Sequence, residues 1–200
     1  MNNDTSRFDG TWIFIVIALL AYILPWIMNR SLTLSLGAYD FAELLAKRQF
    51  DNSSYTTVMA LRGHLLFFTL LIAIGANRPY FTISWWMRLI VCLLLVIAQL
   101  PPLTFINNLS DVNQQQQAIL SLISLIGAII GLSGFIWNYR HLGQILLATA
   151  GIITAIYGIT HAIDIIKAYG LIANLGIGVV GLVGVYILMG VRSLWHIARH

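Results

Sequence analysis

The sequence has very little charge: only 9% of its 200 residues are Asp, Glu, Lys or Arg. Soluble domains usually carry about 25% charged residues, which cover their surface with polar groups. In place of charge, the chain has 59% hydrophobic residues and a mean hydropathy of +0.85. The lack of charge excludes an ordinary soluble domain and predicts a protein whose solvent is lipid.

Cysteine and clustered basic charge are also scarce. The single cysteine, Cys92, excludes an internal disulfide, and its apolar neighbours indicate a buried, unreactive thiol. The 11 Lys and Arg residues give a net charge of +4. They are scattered and form no basic stripe, so we expect no nucleic-acid partner.

Common catalytic motifs are absent as well. The sequence has no Walker A loop, no H-E-x-x-H, no C-x-x-C and no G-x-S-x-G. No predicted span carries a carboxylate near its midpoint, where coupled transporters and pumps commonly need one. The ionisable residues of the spans do not supply an acid, a base and a nucleophile together. We therefore expect a protein that is not an enzyme and holds no metal ion.

Long apolar runs predict an all-α fold, a bundle of six transmembrane helices in one integral membrane domain over residues 1–200. A helix needs about 20 apolar residues to cross the hydrocarbon core. Six crossings leave room for short loops and for polar connections, one of them over 102–117. The predicted spans are residues 11–28, 57–76, 82–100, 118–137, 144–166 and 171–194.

The stretch between the first two spans is more polar and predicts a short amphipathic helix at residues 39–50. Asp40 and Glu43 have the spacing of a capping box. Phe41, Leu44 and Leu45 fall on one helical face. Such a helix lies flat on the membrane surface, packs on the bundle, or packs on a partner, and the sequence leaves all three open.

The distribution of Lys and Arg favours both termini in the cytoplasm. Positive residues concentrate on the cytoplasmic side of membrane proteins. From the third span onward the side that shares the N-terminus holds almost all of them, and Lys167 is the exception. Arg30, Lys47 and Arg48 lie on the other side and oppose this orientation.

Small residues recur every three or four positions in the last three spans. They allow helix backbones to approach closely, where dispersion and weak hydrogen bonds hold them. One interpretation is a compact bundle within a single chain, and the other is a docking face for another membrane subunit. The glycines concerned are Gly127, Gly131, Gly134, Gly151, Gly158, Gly181 and Gly184.

His64 is the candidate cofactor-binding residue. It lies roughly 10 Å into the second span, at about 1.5 Å per residue, and follows Gly63. A neutral imidazole can ligate a haem iron axially, and by the same geometry the magnesium of chlorophyll or bacteriochlorophyll. The alternative is an interfacial histidine bonded to headgroups or to a carbonyl. For Arg62 we expect snorkelling to the interface.

His161, Asp164 and Lys167 recur every three residues near the end of the fifth span and share one face. Ionisable groups in a membrane segment are functional candidates. This polar cluster predicts either a proton relay or ion site, or a locally neutralised group at the membrane interface.

The stretch Ser35-Leu36-Gly37-Ala38-Tyr39-Asp40-Phe41-Ala42-Glu43 resembles a segment of small multi-pass membrane proteins of green filamentous, often phototrophic, bacteria. No active site is established for that family. The resemblance implies a bacterial inner (cytoplasmic) membrane. As partners it implies the pigment–protein and quinone-linked complexes of such membranes, and as a cofactor (bacterio)chlorophyll or none.

Three functions fit these observations. The first is a non-catalytic accessory or assembly subunit of a larger membrane complex, which the resemblance extends to a photosynthetic or electron-transfer complex. Its partners would be membrane lipids and other integral subunits. The second is a permease-like transporter subunit that works with a separate ATPase through a cytoplasmic coupling helix at 39–50. The third is a pigment- or haem-binding membrane protein that uses His64.

Overall fold

The computed structural model describes residues 11–29, 34–47, 52–75, 82–103, 110–168, 170 and 172–199. These residues are mostly helical, and the predicted all-α class is confirmed. A 3-10 turn, Trp137–Tyr139, precedes the sixth helix. The α-helices are α1 Thr11–Ile23, α2 Ala38–Lys47, α3 Asn52–Ile74, α4 Ile83–Ala98, α5 Val112–Leu132, α6 Arg140–Ala168 and α7 Ile177–Ala198.

Within the described residues, four helical segments are long and apolar enough to cross a membrane. They are Tyr55–Ile74, Val112–Leu132, Trp137–Ala168 and Ile177–Ala198. Two further apolar helices, Trp12–Ile23 and Ile83–Ala98, are shorter than a full span. These lengths indicate a helical membrane protein.

Helix α3 lies at the centre of the bundle. It packs against α2, α4, α5 and α6, and its candidate span is 78% buried, whereas the other three candidate spans are 33–44% buried. The outer helices α1 and α7 pack together, and α7 also packs on α6. The residues of α3 therefore face protein on nearly every side.

The contacts along α3 give the direction of each neighbouring helix. Contacts with α4 and α6 occur in reverse chain order, so these helices are antiparallel to α3, whereas α5 runs parallel to it. The contacts are Cys92–Thr69 and Arg88–Ile72 for α4, Gly158–Leu61 and Gly143–Ile74 for α6, and Gln116–Arg62 and Gly131–Ala73 for α5.

The directions of the outer helices also alternate along the chain. Helix α7 is antiparallel to α6, because His196 stacks on His141 while Tyr186 lies against Gly151. Two ends of the bundle follow. The α2 end holds α2, the start of α3 and the end of α6. The Trp137 end holds the start of α6 and the ends of α3 and α7.

A small antiparallel sheet at the α2 end was not predicted. Its strands are β1 Ile27–Asn29, β2 Leu34–Leu36 and β3 Asn174–Leu175, in the order β2-β1-β3. Gly176 approaches the backbone just before β1 so closely that a Cβ there would lie 2.1 Å from the carbonyl oxygen of Pro25. The sheet ties the end of α1 to the starts of α2 and α7.

Several helix boundaries differ from the predicted ones. The connection predicted over 102–117 is partly helical, because Asp111 caps α5 by accepting hydrogen bonds from the backbone N–H groups of Asn113 and Gln114 at 2.9 and 3.2 Å. Helix α7 begins at Ile177 because β3 precedes it. Helix α2 begins at Ala38, so Asp40 lies in its first turn instead of capping it. Residues 48–50 of the predicted amphipathic helix lie outside the described residues.

Most of the predicted packing glycines face other helices of the same chain. A Cβ at Gly131 would lie 2.6 Å from the Cβ of Ala73, whereas one at Gly184 would meet nothing within 4 Å. Gly134 has a positive φ of 66° in the turn after α5. The other neighbours are Leu70 for Gly127, Tyr186 for Gly151, Leu61 for Gly158 and Ala21 for Gly181.

We predict that Gly131→Ala destabilises the bundle by about 1–3 kcal/mol, because the new methyl group overlaps the backbone of α3. Gly184→Ala is the matched control, since its methyl group enters open space and we expect an unchanged or slightly higher melting temperature. Thermal unfolding in detergent micelles measures both. Equal effects of the two variants would contradict the α3–α5 packing.

Candidate functional site

The most polar region inside the bundle surrounds Arg62 of α3. Its side chain is only 2% exposed, so the expected snorkelling to the interface is wrong. One guanidinium nitrogen donates to the carboxylate of Glu43 on α2. The other donates to Oδ1 of Asn113 at 2.6 Å and to Oε1 of Gln116 at 3.2 Å, both on α5. Arg62 therefore turns into the bundle and is paired there.

The glutamines of α5 complete this network. Nε2 of Gln117 donates to the same Glu43 oxygen at 3.0 Å, and Nε2 of Gln116 donates to the carbonyl of Tyr55 at 3.0 Å. Both glutamines are buried, because the Asp111 cap starts α5 early enough to bring them into the helix. We call Glu43, Arg62, Asn113, Gln116 and Gln117 the Arg62 network, and it joins α2, α3 and α5.

A cavity of about 10 Å³ adjoins the Arg62 network. Nε of Arg62 and Oε1 of Gln117 are buried without a hydrogen-bond partner among the described residues, and both side chains line the cavity with Tyr39 and Gln99. Burial raises the pKa of the Tyr39 phenol, and the nearby Glu43 carboxylate adds to the rise. The volume fits one water molecule, with a donor and an acceptor for it.

A seam of buried polar side chains continues between α4 and α5. Ser124 donates to Oε1 of Gln99 at 2.9 Å, and Nε2 of Gln99 donates to the carbonyl of Leu95 at 2.9 Å. Ser121 donates to the carbonyl of Val96 at 3.4 Å. The two serine bonds join α5 to α4, a common use of Ser in membrane interiors, whereas the bond from Gln99 to Leu95 lies within α4.

His64 follows Arg62 by two residues along α3 and is fully buried. Its Nδ1 is 3.1 Å from the hydroxyl of Tyr186 on α7. The rings of Tyr22, Trp26, Phe67 and Tyr186 surround the imidazole with centroid distances of 5.4–6.2 Å. His64 therefore faces an aromatic cage of the same chain.

The aromatic cage around His64 limits the space for a tetrapyrrole that His64 would ligate. Nε2 is buried and has no hydrogen-bond partner among the described residues, so its lone pair or proton is not used by the described part of the chain. A porphyrin or chlorin plane on Nε2 would have to displace aromatic rings that now contact the imidazole. As packed, the cage fits an imidazole that stabilises the α3–α7 contact better than it fits an axial ligand.

The side chains of the predicted polar cluster on α6, His161, Asp164 and Lys167, do not contact one another in the described contacts. Asp164 and Lys167 are exposed, and the described residues record no ion pair that joins Asp164 to His161 or Lys167. His161 instead lies against the ring of Tyr157, at a centroid distance of 4.2 Å. The three side chains share the α2 end of the bundle, outside the Arg62 network.

The Trp137 end holds a cluster of cationic and aromatic residues that was not predicted from the sequence. His141 and His196 stack at a centroid distance of 5.0 Å, although they are far apart in the chain. Nε of Arg140 donates to Nε2 of His141 at 3.2 Å, and its guanidinium lies 3.6 Å from the ring centroid of Trp137. The three-residue spacing of Trp137 and Arg140 is the sequence signal from which this contact could have been predicted.

We predict that Glu43→Ala loosens α2, because it leaves the charge of Arg62 buried without its carboxylate. The cost should be about 2 kcal/mol, below the 3–5 kcal/mol typical of a fully buried pair, since Glu43 is 28% exposed. Hydrogen exchange of the α2 amides measures this. Asp40→Ala, an exposed change on the same helix, is the control, and equal exchange in both variants would contradict the network.

We predict that Tyr186→Phe lowers the free energy of unfolding by about 1–3 kcal/mol, because Nδ1 of buried His64 loses its partner. Tyr157→Phe is the matched control, since its hydroxyl bonds Thr56 at an exposed position. Thermal unfolding in the same detergent compares them. An unchanged melting temperature for Tyr186→Phe would show that the His64–Tyr186 bond contributes nothing.

No family model matches the chain, and no curated protein or solved structure matches it.

Proposed function

We propose that the chain is a non-catalytic accessory or assembly subunit of a larger membrane protein complex. The observation that carries this proposal is the length and position of α4. Helix α4 has 16 residues, which rise about 24 Å at 1.5 Å per residue. The hydrocarbon core of a bilayer is about 30 Å thick.

The residues at the two ends of α4 limit its length. Thr82 caps its start by accepting a hydrogen bond from the backbone N–H of Trp85 at 3.3 Å. The helix ends at Ala98, and Pro101 and Pro102 follow, where missing backbone donors oppose further helix. A longer α4 would need a different sequence at both ends.

Helix α4 also lies at the edge of the bundle. It packs on α3 and α5, and its opposite face exposes Ile90, Leu94 and Ile97 at 54–59%. A short hydrophobic helix that faces lipid requires local thinning of the bilayer or association with another helix. We infer that an apolar transmembrane helix of another subunit covers this face.

The proposed topology has six membrane crossings, with α1 and α4 as the two short ones. The alternating directions of α1, α3, α4, α5, α6 and α7 support it. Both termini would then lie at the Trp137 end. This end holds Arg88, Arg140, Arg192 and Arg199, and by the positive-inside tendency it would face the cytoplasm of a bacterial inner membrane.

The class of complex rests on the resemblance of residues 35–43 to proteins of phototrophic bacteria. It points to a photosynthetic or electron-transfer complex as the assembly. Lipids would cover the remaining apolar faces of α5, α6 and α7.

A permease-like subunit is the second candidate, favoured by the buried polar seam between α4 and α5. The small size of the cavity beside this seam opposes transport, since the cavity has the volume of one water molecule. A coupling helix at α2 would also have to face the cytoplasm, opposite to the proposed orientation. A reporter fused at Gln49 that reads as periplasmic would remove this candidate.

Pigment or haem binding is the third candidate, favoured by Nε2 of His64, which has no hydrogen-bond partner in the described part of the chain. It requires the aromatic cage to open. A purified protein without visible absorbance, unchanged by His64→Ala, would remove it.

We predict that a photo-crosslinking amino acid in place of Ile90 captures a second integral membrane protein, which mass spectrometry identifies. The control places the same amino acid at Ile187, an exposed residue of α7, which is long enough to cross the membrane. This variant should capture lipid alone. Crosslinks at Ile90 to lipid alone, or to another copy of this chain, would contradict the proposed subunit role.

A further inference from the structure

The cavity beside the Arg62 network is enclosed by parts of four helices. It is lined by side chains of α2, α3 and α5 and by Gln99, the residue that caps the end of α4. Arg62, Gln99 and Gln117 are only 2–6% exposed, so the cavity lies in the interior of the bundle. The lining residues are Tyr39, Arg62, Leu65, Gln99, Gln117 and Leu120.

Two polar atoms of the lining side chains have opposite hydrogen-bonding character and no partner. Nε of Arg62 carries a proton to donate, and Oε1 of Gln117 accepts. Both atoms are buried without a partner among the described residues. The other nitrogens of both side chains bond within the Arg62 network, which holds the side chains in place. A molecule that bonds to both atoms would remove the free-energy cost of leaving them unpaired.

The charges around the cavity favour a neutral occupant. The guanidinium of Arg62 is already paired with the carboxylate of Glu43. A cation in the cavity would lie beside this guanidinium and would be repelled by it. An anion would offer no proton to Oε1 of Gln117. The occupant must both donate and accept, and a single water molecule does so within about 10 Å³.

Gln99 offers this occupant a third partner. Its Oε1 accepts from Ser124, and its Nε2 donates to the carbonyl of Leu95. A primary amide has a second N–H proton and a second lone pair on its oxygen, so Gln99 can make a further bond. Buried waters typically make about three hydrogen bonds, and the side chains of Arg62, Gln117 and Gln99 supply that number.

We propose that one water molecule occupies this cavity and bridges Nε of Arg62 to Oε1 of Gln117. It accepts from the guanidinium, donates to the amide oxygen of Gln117 and makes its third bond to Gln99. The bridge connects the end of α4 to the Arg62 network, whose own residues belong to α2, α3 and α5. The Arg62 network and the polar seam between α4 and α5 are then continuous. This inference does not depend on the accessory-subunit role.

Proton NMR of the isotope-labelled full-length protein in detergent micelles tests the bridge directly. The Nε–H signal of Arg62, assigned from its side-chain couplings, should show a dipolar cross-peak to water in the rotating frame, with the sign opposite to that of proton exchange. The indole N–H of Trp26 is the internal control and should show no such cross-peak, because it is buried and donates to the carbonyl of Ala21 at 3.1 Å. Tyr39→Phe removes a hydroxyl proton that can relay the signal, and the cross-peak should persist in this variant.

Leu120→Met should displace the water, because the longer side chain extends its terminal methyl group into the cavity. The cross-peak of Arg62 should then be lost and the melting temperature should fall, since Nε of Arg62 and Oε1 of Gln117 lose their partner. Leu132→Met is the matched control, because Leu132 is also buried on α5 but does not line the cavity. It should leave the cross-peak unchanged and lower the melting temperature less.

Four results would overturn the proposal. A missing cross-peak in the unaltered protein would show that the cavity is empty. A higher melting temperature of Leu120→Met would show the same, because filling an empty cavity stabilises a protein. Loss of the cross-peak in Tyr39→Phe would assign the signal to the hydroxyl. A shift of the Arg62 Nε–H signal when bromide replaces chloride in the buffer would identify the occupant as a halide ion.

Discussion

Arg62 sets the main constraint on this bundle, because a guanidinium cannot remain unpaired inside a membrane protein without a large free-energy cost. Its position on the central helix α3 requires partners from the helices around it. Glu43 of α2 and Asn113 and Gln116 of α5 supply them. The pairing explains why α2 packs on the bundle instead of lying free on the membrane, and why the polar first turns of α5 are drawn inside. The Arg62 network fixes where α2, α3 and α5 meet.

The rest of the bundle is arranged around that fixed point. Deeper along α3, His64 is held by the hydroxyl of Tyr186, which reaches it because Gly151 leaves space for the Tyr186 ring. Towards the other end, Arg88 of α4 donates to the carbonyl of Ile72 at 2.9 Å. Buried polar side chains therefore bond to α3 or from it at three levels of the bundle. Arg62 does so at the α2 end, His64 deeper along α3, and Arg88 towards the Trp137 end. The ends differ in charge, since the described carboxylates lie at the α2 end and the arginine–aromatic pairs at the Trp137 end.

Composition and apolar runs were sufficient to predict the all-α membrane class, because lipid permits few other structures for so apolar a chain. The amphipathic pattern of Phe41, Leu44 and Leu45 predicted α2. Phe41 and Leu45 are buried, whereas Leu44 is 40% exposed. Long-range contacts could not be predicted. Nothing in the local sequence pairs Arg62 with Glu43 and Gln116, and β3 is too short to show a strand pattern. The start of α5 was missed because Gln114 to Gln117 look like a polar loop until Asp111 is recognised as a cap. The stacking of His141 on His196 depends on the α6–α7 register, which spacing alone does not give.

The most direct test of the six-crossing arrangement is the labelling of single cysteines on intact cells with a membrane-impermeant maleimide, in a Cys92→Ser background. Asp40→Cys and Lys167→Cys report the α2 end, and Tyr139→Cys and Arg199→Cys report the Trp137 end. We expect that the first pair reacts from outside, while the second pair reacts only after the cells are opened. Opposite behaviour of the two cysteines within either pair would contradict the alternating bundle.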